Sequence, residues 1–225
     1  MKRDAGVWIL AGASTYSGGT TVSDGTLVVN NATGSATGTG SLSIANGGRL
    51  GGSGTAGSLA AGAALTQQTG GVIFAGQNGV QDAQTLTLQA GAGFTLSGSI
   101  ELDIIGGAAS GTLNTPGGSN DLLVFSGGEV TLNGATLNIH SALPVTSGTW
   151  VAGSTWNLID WSSVSGTFDT ITGLPDLSSL GLAWDWSQLY SSGTLSVVAA
   201  APEPSRALLA MVGLSLLLLR RRRAV

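Results

Sequence analysis

Short apolar runs separated by small polar turns recur along most of this chain. Val7 and Ile9, and later the pair Val28 and Val29, sit in runs with strand character. Between them lie the turn clusters Ser17-Gly18-Gly19 and Ser23-Asp24-Gly25. Further runs are GSLSI at 40–44, GSLAA at 57–61, AQTLTL at 83–88, GFTLSGSIELDI at 93–104, NDLLVF at 120–125 and GEVTLNGATLNI at 128–139. Runs that recur every roughly eight to sixteen residues, with Gly, Ser and Asn between them, predict an all-β chain. In a solenoid each strand lies on its neighbour's edge, backbone bonds run between coils, and small residues let the turns pass closely. Leu, Val and Ile pointing inward and Gly and Ser at the corners fit that arrangement. The expected fold is a right-handed parallel β-helix; a β-sandwich is the alternative. Asn133-Gly134 keeps both open, since the pair is a strong hairpin signal between alternating strands and equally a tight corner between two faces of a solenoid.

From His140 onward the pattern changes. Five of the six tryptophans, Trp150, Trp156, Trp161, Trp184 and Trp186, lie in this stretch and glycine thins out. A solenoid end exposes apolar core and unpaired strand edges, so a bulky aromatic region reads as its cap. Trp184 and Trp186, alternating around Asp185, also read as a surface on which a sugar could stack.

Composition sharpens the picture. Of 225 residues 37 are glycine, 9% are charged and none is cysteine. Low charge with a positive mean hydropathy is the opposite of a disordered composition, and glycine without a three-residue period is not collagen. Without disulfides, hydrogen-bonded β structure must hold the chain together. Charge is segregated: residues 4–201 carry eleven carboxylates against one cation, Arg49. A body so acidic disfavours nucleic acid as a partner.

The cations gather at the other end of the chain. Pro202, Glu203 and Pro204 precede an uncharged run made of Ala207, Leu208, Leu209, Ala210, Met211, Val212, Gly213, Leu214, Ser215, Leu216, Leu217, Leu218 and Leu219, and Arg220, Arg221, Arg222 and Arg223 follow it. Leu and Ala favour helix, and the prolines end whatever comes before. As a helix the run spans roughly 20 Å, short for a bilayer core of about 30 Å; bilayer thinning and snorkelling of Arg206 and Arg220 close part of the gap. The positive-inside rule keeps Arg220 to Arg223 cytoplasmic and exports what precedes Ala207. The segment is therefore expected to be a transmembrane anchor.

Three stretches of the chain carry resemblances. Pro202-Glu203-Pro204, the short apolar run and the terminal arginines resemble the PEP-CTERM sorting signal of Gram-negative bacteria. That resemblance implies transient holding in the inner membrane, then processing near the motif by an exosortase-type enzyme and release toward the cell surface or matrix. The stretch from about 6 to 29 resembles one autotransporter-associated β-strand repeat, with Trp8, Leu10, Gly12, Tyr16, Gly18, Thr20 (or Thr21), Val22, Gly25, Thr26 and Leu27 filling its pattern. The stretch from Gly166 to Val197 resembles the segment that precedes the tail in PEP-CTERM repeat proteins. Lys2 and Arg3 followed by Asp4 make a poor leader, so the start is expected to be truncated.

Candidate chemistry is sparse. His140 is the only histidine, and no nucleophile elbow of the Gly-x-Ser-x-Gly type occurs. Glu101 and Asp103 fall on one face of SIELDI. A solvated face that blunts an edge is the expected role; a calcium site or an acid–base pair are the alternatives. No catalytic, cofactor-binding or metal-ligating residue is assigned, and no cofactor is expected. The chain divides into a repeat region at 1–139, a β cap at 140–201 and a sorting segment at 202–225. The expectation is an exported, non-enzymatic protein of the cell surface or extracellular matrix. Its expected partners are the inner membrane, an exosortase-type enzyme and an extracellular polysaccharide, with no nucleic acid. A polysaccharide-binding or polysaccharide-active β-helix protein, or a fragment of a larger adhesin, is the alternative.

Overall fold

The computed structural model describes residues 1–77, 82–106, 113–114 and 119–201. In chain order the strands are β1 (Val7–Leu10), β2 (Thr20–Val22), β3 (Gly25–Val29), β4 (Leu42–Ile44), β5 (Gly48–Gly52), β6 (Thr55–Ser58), β7 (Leu65–Gln67), β8 (Val72–Phe74), β9 (Thr85–Ala90), β10 (Phe94–Leu96) and β11 (Ser99–Asp103). They continue as β12 (Leu113–Asn114), β13 (Leu122–Gly127), β14 (Val130–Leu132), β15 (Thr136–His140), β16 (Thr155–Asn157), β17 (Ile159–Trp161), β18 (Val164–Ser165), β19 (Thr170–Thr172), β20 (Leu182–Asp185) and β21 (Thr194–Ala199). Among the described residues there is one short α-helix, α1 (Leu189–Ser192), and one 3-10 turn at Ser178–Leu180.

From β1 to β19 successive strands belong to different sheets, and strands of one sheet lie a full turn apart in sequence. Sheet 1 runs β1-β3-β5-β8-β11-β15-β19, sheet 2 runs β2-β4-β7-β10-β14-β18, and sheet 3 runs β6-β9-β13-β17. Every pairing within these three sheets is parallel. The chain is thus an all-β, β-helix-like solenoid, and the hairpins a sandwich requires are missing from these sheets. Asn133-Gly134 connects β14 in sheet 2 to β15 in sheet 1, with Gly134 at φ 76°, so it is a corner. Only glycine reaches that backbone region at no steric cost.

Register explains why these residues make these strands. Trp8, Leu27, Leu50, Ile73, Ile100, Leu137 and Ile171 are partners in turn across sheet 1, one inward side chain per coil. Leu27, Leu50, Ile73, Ile100 and Leu137 are buried, and each stabilises the stack by about 1.5–3 kcal/mol relative to an exposed position. In sheet 2 the middle residue of each strand faces out. Thr21, Ser43, Thr66, Thr95, Thr131 and Ser165 form one in-register hydroxyl row, while residues on either side of it, such as Leu42, Ile44 and Leu96, are buried. Period-two alternation sorts the two sets.

Where the core widens, aromatics replace aliphatics. Phe94 meets Phe125 edge-on at 5.0 Å, and Phe125 stacks on its register partner Trp161 at 6.4 Å. Trp161 stacks on Tyr190 of α1, and the Tyr190 hydroxyl accepts the Phe168 N–H at 3.1 Å. The carbonyl of Gly193, just beyond α1, accepts the N–H groups of Leu158 and Ile159, so the last strand of sheet 3 does not end on bare backbone. Gly193 has φ 68°, and a Cβ there would collide with the Ile159 carbonyl.

Among the described residues no helix is long and apolar enough to cross a membrane. The expected sorting motif Pro202, Glu203 and Pro204, the apolar run 207–219 and Arg220 to Arg223 lie outside the described residues.

Phe125 is the middle member of a stack joining three coils, so Phe125→Ala should destabilise the solenoid by about 3–5 kcal/mol. Urea unfolding of the variant beside the wild type checks this; a loss below about 1 kcal/mol is the result it excludes.

Candidate functional site

One corner of the solenoid collects nearly all the extra chain. The sheet 1 partners Thr26, Arg49, Val72, Ser99, Thr136 and Thr170 step by 23, 23, 27, 37 and 34 residues. The growth falls between sheet 1 and sheet 3. Only residues 53–54 separate β5 from β6, whereas 75–84, 104–121 and 141–158 stand at that corner in the next three turns. Insertions stacked on one edge of a solenoid commonly form its working surface. Here they also add a fourth sheet. β12 and β16 pair parallel, and β21 and β20 then pair antiparallel onto them in the order β12-β16-β21-β20.

The base of these insertions is a polar clasp. Asp121 accepts the Gln84 N–H at 2.8 Å with one carboxylate oxygen and the Asp103 N–H at 2.9 Å with the other. Its own N–H donates to the Asp103 carbonyl, so the two aspartates close the loop between β11 and β13. Asn120 donates to the Asn157 carbonyl at 2.7 Å, and the Trp156 indole donates to the Gly106 carbonyl at 3.1 Å. Each contact ties an insertion to that of a neighbouring coil. The extra chain at this corner is therefore cross-braced.

Beside the clasp, on the outer face of sheet 1, runs a second polar chain. The Thr172 hydroxyl donates to Asn138 Oδ1 at 3.2 Å, which leaves Asn138 Nδ2 to donate to His140 Nε2 at 2.8 Å. His140 Nδ1 then carries the proton and faces Asp103 Oδ1 at 3.5 Å. Both ring nitrogens of His140 are thereby engaged. Burial raises the Asp103 carboxyl above its ordinary range, against the pull of His140. Asp121 is 1% exposed, and burial pushes its carboxyl up to about 7, although the Gln84 and Asp103 N–H groups favour the ionised form.

Glu101 and Asp103, which share a strand face as the alternation predicts, have separate roles. Glu101 pairs with Arg49 at 2.6 Å, and that guanidinium lies 5.2 Å from the centre of the Phe74 ring. Asp103 sits under the insertions at 7% exposure, so it does not belong to a solvated face. Asp82 and Asp121, which the sequence reading did not single out, come close to it. The available signal was the unequal spacing of the strand runs. Among the described residues no group of three or more His, Asp or Glu side chains is disposed to hold a metal ion.

The tryptophans form a second cluster, next to the fourth sheet. Trp150, Trp156 and Trp184 lie 5.2–5.8 Å apart in mutual contact, and Trp150 and Trp156 are buried. Trp184 donates its indole N–H to the Pro175 carbonyl at 2.9 Å, and both Trp184 and Trp186 pack against the core. Trp184 is a packing residue rather than half of an exposed sugar platform.

The passenger-associated-transport-repeat family matches residues 2–29. That repeat is associated with autotransporter passenger domains, which are exported surface proteins. No curated protein matches the chain. The matched stretch begins at Lys2, bridged to Val22 in sheet 2, and ends with β3 in sheet 1, so it covers one circuit of the solenoid.

The raised Asp121 carboxyl sets a pH dependence. The native state holds this proton more tightly than the unfolded chain does, so its contribution is complete below the unfolded value of 3.8 and is lost as pH rises through about 7. The stability difference between wild type and Asp121→Asn, which cannot ionise, should fall by roughly 4 kcal/mol over that window. Urea titrations at pH 4 and pH 8 test it; a difference that holds constant rules the assignment out.

Proposed function

We propose that this chain is an exported, non-enzymatic protein of a Gram-negative cell surface or extracellular matrix, in which the solenoid serves as a spacer and scaffold. The observation that carries the reading is the coincidence of the passenger-associated repeat with one circuit of the coil. A module linked to exported passengers is the structural unit that the rest of the stack repeats. A right-handed winding is part of the proposal, since twisted parallel strands joined by a crossover favour that sense.

The cell handles the protein through its last residues. Pro202, Glu203 and Pro204 form the sorting motif, Ala207 to Leu219 lodge in the inner membrane, and Arg220 to Arg223 stay on the cytoplasmic side. An exosortase-type enzyme then cuts near the motif and passes the body outward. The acidic body, in which Arg49 is the one cation between residues 4 and 201, suits a matrix of polysaccharide rather than a nucleic acid. The engaged ring nitrogens of His140 and the Arg49 partner of Glu101 support a structural use of the polar residues.

Intact mass of the protein recovered from surface and inner-membrane fractions tests the reading. The expected surface form has lost the residues after the Pro202-Glu203-Pro204 element, while the inner-membrane form retains them. A full-length protein confined to the cytosol refutes export, and a surface form with an intact tail refutes the processing step.

A further inference from the structure

Asparagine followed by glycine occurs twice at one corner of the described solenoid. Asn46-Gly47 joins β4 of sheet 2 to β5 of sheet 1, and Asn133-Gly134 joins β14 to β15 at the same place three coils on. All four residues are exposed, and the glycines have φ 85° and 76°. Each glycine also has an aspartate of an adjacent coil beside it, Asp24 at Gly47 and Asp169 at Gly134. Sequence, solvent access and local charge are thus matched. The pairs differ in how the neighbouring coil holds them.

At Asn46-Gly47 both groups that could react are engaged. The Gly47 N–H donates to the Gly70 carbonyl at 3.2 Å, and the Asn46 side-chain oxygen occupies the place a Cβ of Gly70 would take. At Asn133-Gly134, among the described residues, no group accepts the Gly134 N–H. The chain on either side is pinned instead. The Asn133 N–H donates to the Leu96 carbonyl at 2.8 Å and the Thr136 N–H to the Gly98 carbonyl at 2.9 Å. A main-chain nitrogen that gives up its proton is a nucleophile. With no Cβ on the glycine, it can reach the side-chain carbonyl of the residue before it.

We propose that Asn133-Gly134 is a site of spontaneous deamidation, and that the reaction loosens the coil that carries β19. The Gly134 nitrogen loses its proton to solvent and bonds to Asn133 Cγ; the bond from Cγ to the side-chain nitrogen breaks, and that nitrogen leaves as ammonia with a proton from solvent. A five-membered imide remains. Water then adds to one of its two carbonyls and the ring opens. The product is aspartate, or isoaspartate when the main chain is left running through the former side chain. One water is consumed, one ammonia is released, and nothing is oxidised or reduced. Either product sets a carboxylate near that of Asp169, and like charges so placed repel. Isoaspartate also adds a methylene to a main chain fixed at both flanks. The Asp169 N–H, which donates to the Ala135 carbonyl at 2.9 Å, is the contact with the next coil that stands closest to both changes.

Peptide mass spectrometry of the full chain, kept warm in mild detergent at mildly alkaline pH and sampled over weeks, tests the site. The Asn133 peptide should gain one dalton and divide into two isomers at least about tenfold faster than the Asn46 peptide, the rate ratio that a single hydrogen bond supplies. Asn78-Gly79 lies outside the described residues and is read on its own peptide. In concentrated urea the ratio should approach one, because the fold then holds neither pair. Hydrogen exchange tests the consequence: the Asp169 N–H should exchange faster in aged wild type than in fresh, and should not change in Asn133→Gln aged alike, whose longer side chain closes the ring far more slowly. An Asn46 that reacts as fast as Asn133 in the folded chain, a ratio indifferent to urea, an Asp169 N–H unaffected by ageing, or one that loosens equally in Asn133→Gln would each overturn the proposal.

Discussion

Parallel stacking of in-register strands is the constraint from which the rest of this structure follows. Each coil donates its backbone hydrogen bonds to its neighbours and sends one or two side chains per strand into a narrow interior. A coil by itself can satisfy neither its backbone nor its apolar face. Every coil must therefore repeat the hydrophobic column of the one beneath it, and the column from Trp8 to Ile171 is the record of that demand. The same constraint explains the glycine content. Where a corner passes close to the coil below, a Cβ has no room, as at Gly48 beneath the Val22 carbonyl. At Gly51 the reason differs, because the Phe74 ring from the next coil occupies the space a side chain would need.

The constraint also decides where the fold can vary. A coil may lengthen only where it leaves one sheet before joining the next, and here that freedom is used mainly at one corner. Leaving the ladder costs backbone hydrogen bonds, and an unpaired buried N–H costs about 1–3 kcal/mol. Asp121 offsets that loss by supplying two side-chain acceptors where the ladder is interrupted, one to its own coil and one to the coil before. Its charge is a liability in that position, which is why its carboxyl titrates so far above the ordinary range. The strands inside the longer insertions then use the parallel logic again in the β12–β16 pair, and β21 and β20 pair antiparallel beside them.

How much of this was legible in the sequence depends on whether a feature is periodic. The strand runs at 40–44, 83–88, 93–104, 120–125 and 128–139 all coincide with strands, because alternating burial forces a period of two on the residues. The repeat at 6–29 was readable for a related reason: Trp8 and Leu10 recur as Leu27 and Val29, their register partners one coil on. Pairing direction was less accessible, since GEVTLNGATLNI carries the same alternation whether its strands fold back or step to the next sheet. The Asp103 and Asp121 clasp was beyond reach. It joins residues on either side of a non-periodic loop, and nothing local marks Asp121 as buried rather than as one more polar residue before a strand.

A stack of coils has no central hub, so its cohesion is roughly the sum of contacts between neighbours and differs from one end to the other. The early coils are short, and their inner columns are aliphatic or small, with Ala36 and Ala56 among the buried residues. The later coils add Phe94, Phe125, Trp161 and Tyr190 to the interior and the braced insertions to the corner. Aromatic pairs contribute about 0.5–1.5 kcal/mol beyond their buried area, and cross-braces between loops couple coils that would otherwise meet only through the ladder. Cohesion therefore rises along the chain. Among the described residues the first coils gain least from aromatic packing and cross-bracing. In a linear stack a missing neighbour removes half of a coil's stabilising contacts, and no distant part of the molecule can make up the difference. The aromatic stack from Phe94 to Tyr190 therefore strengthens only the coils it touches, and the aliphatic columns of the early coils must hold by their own burial.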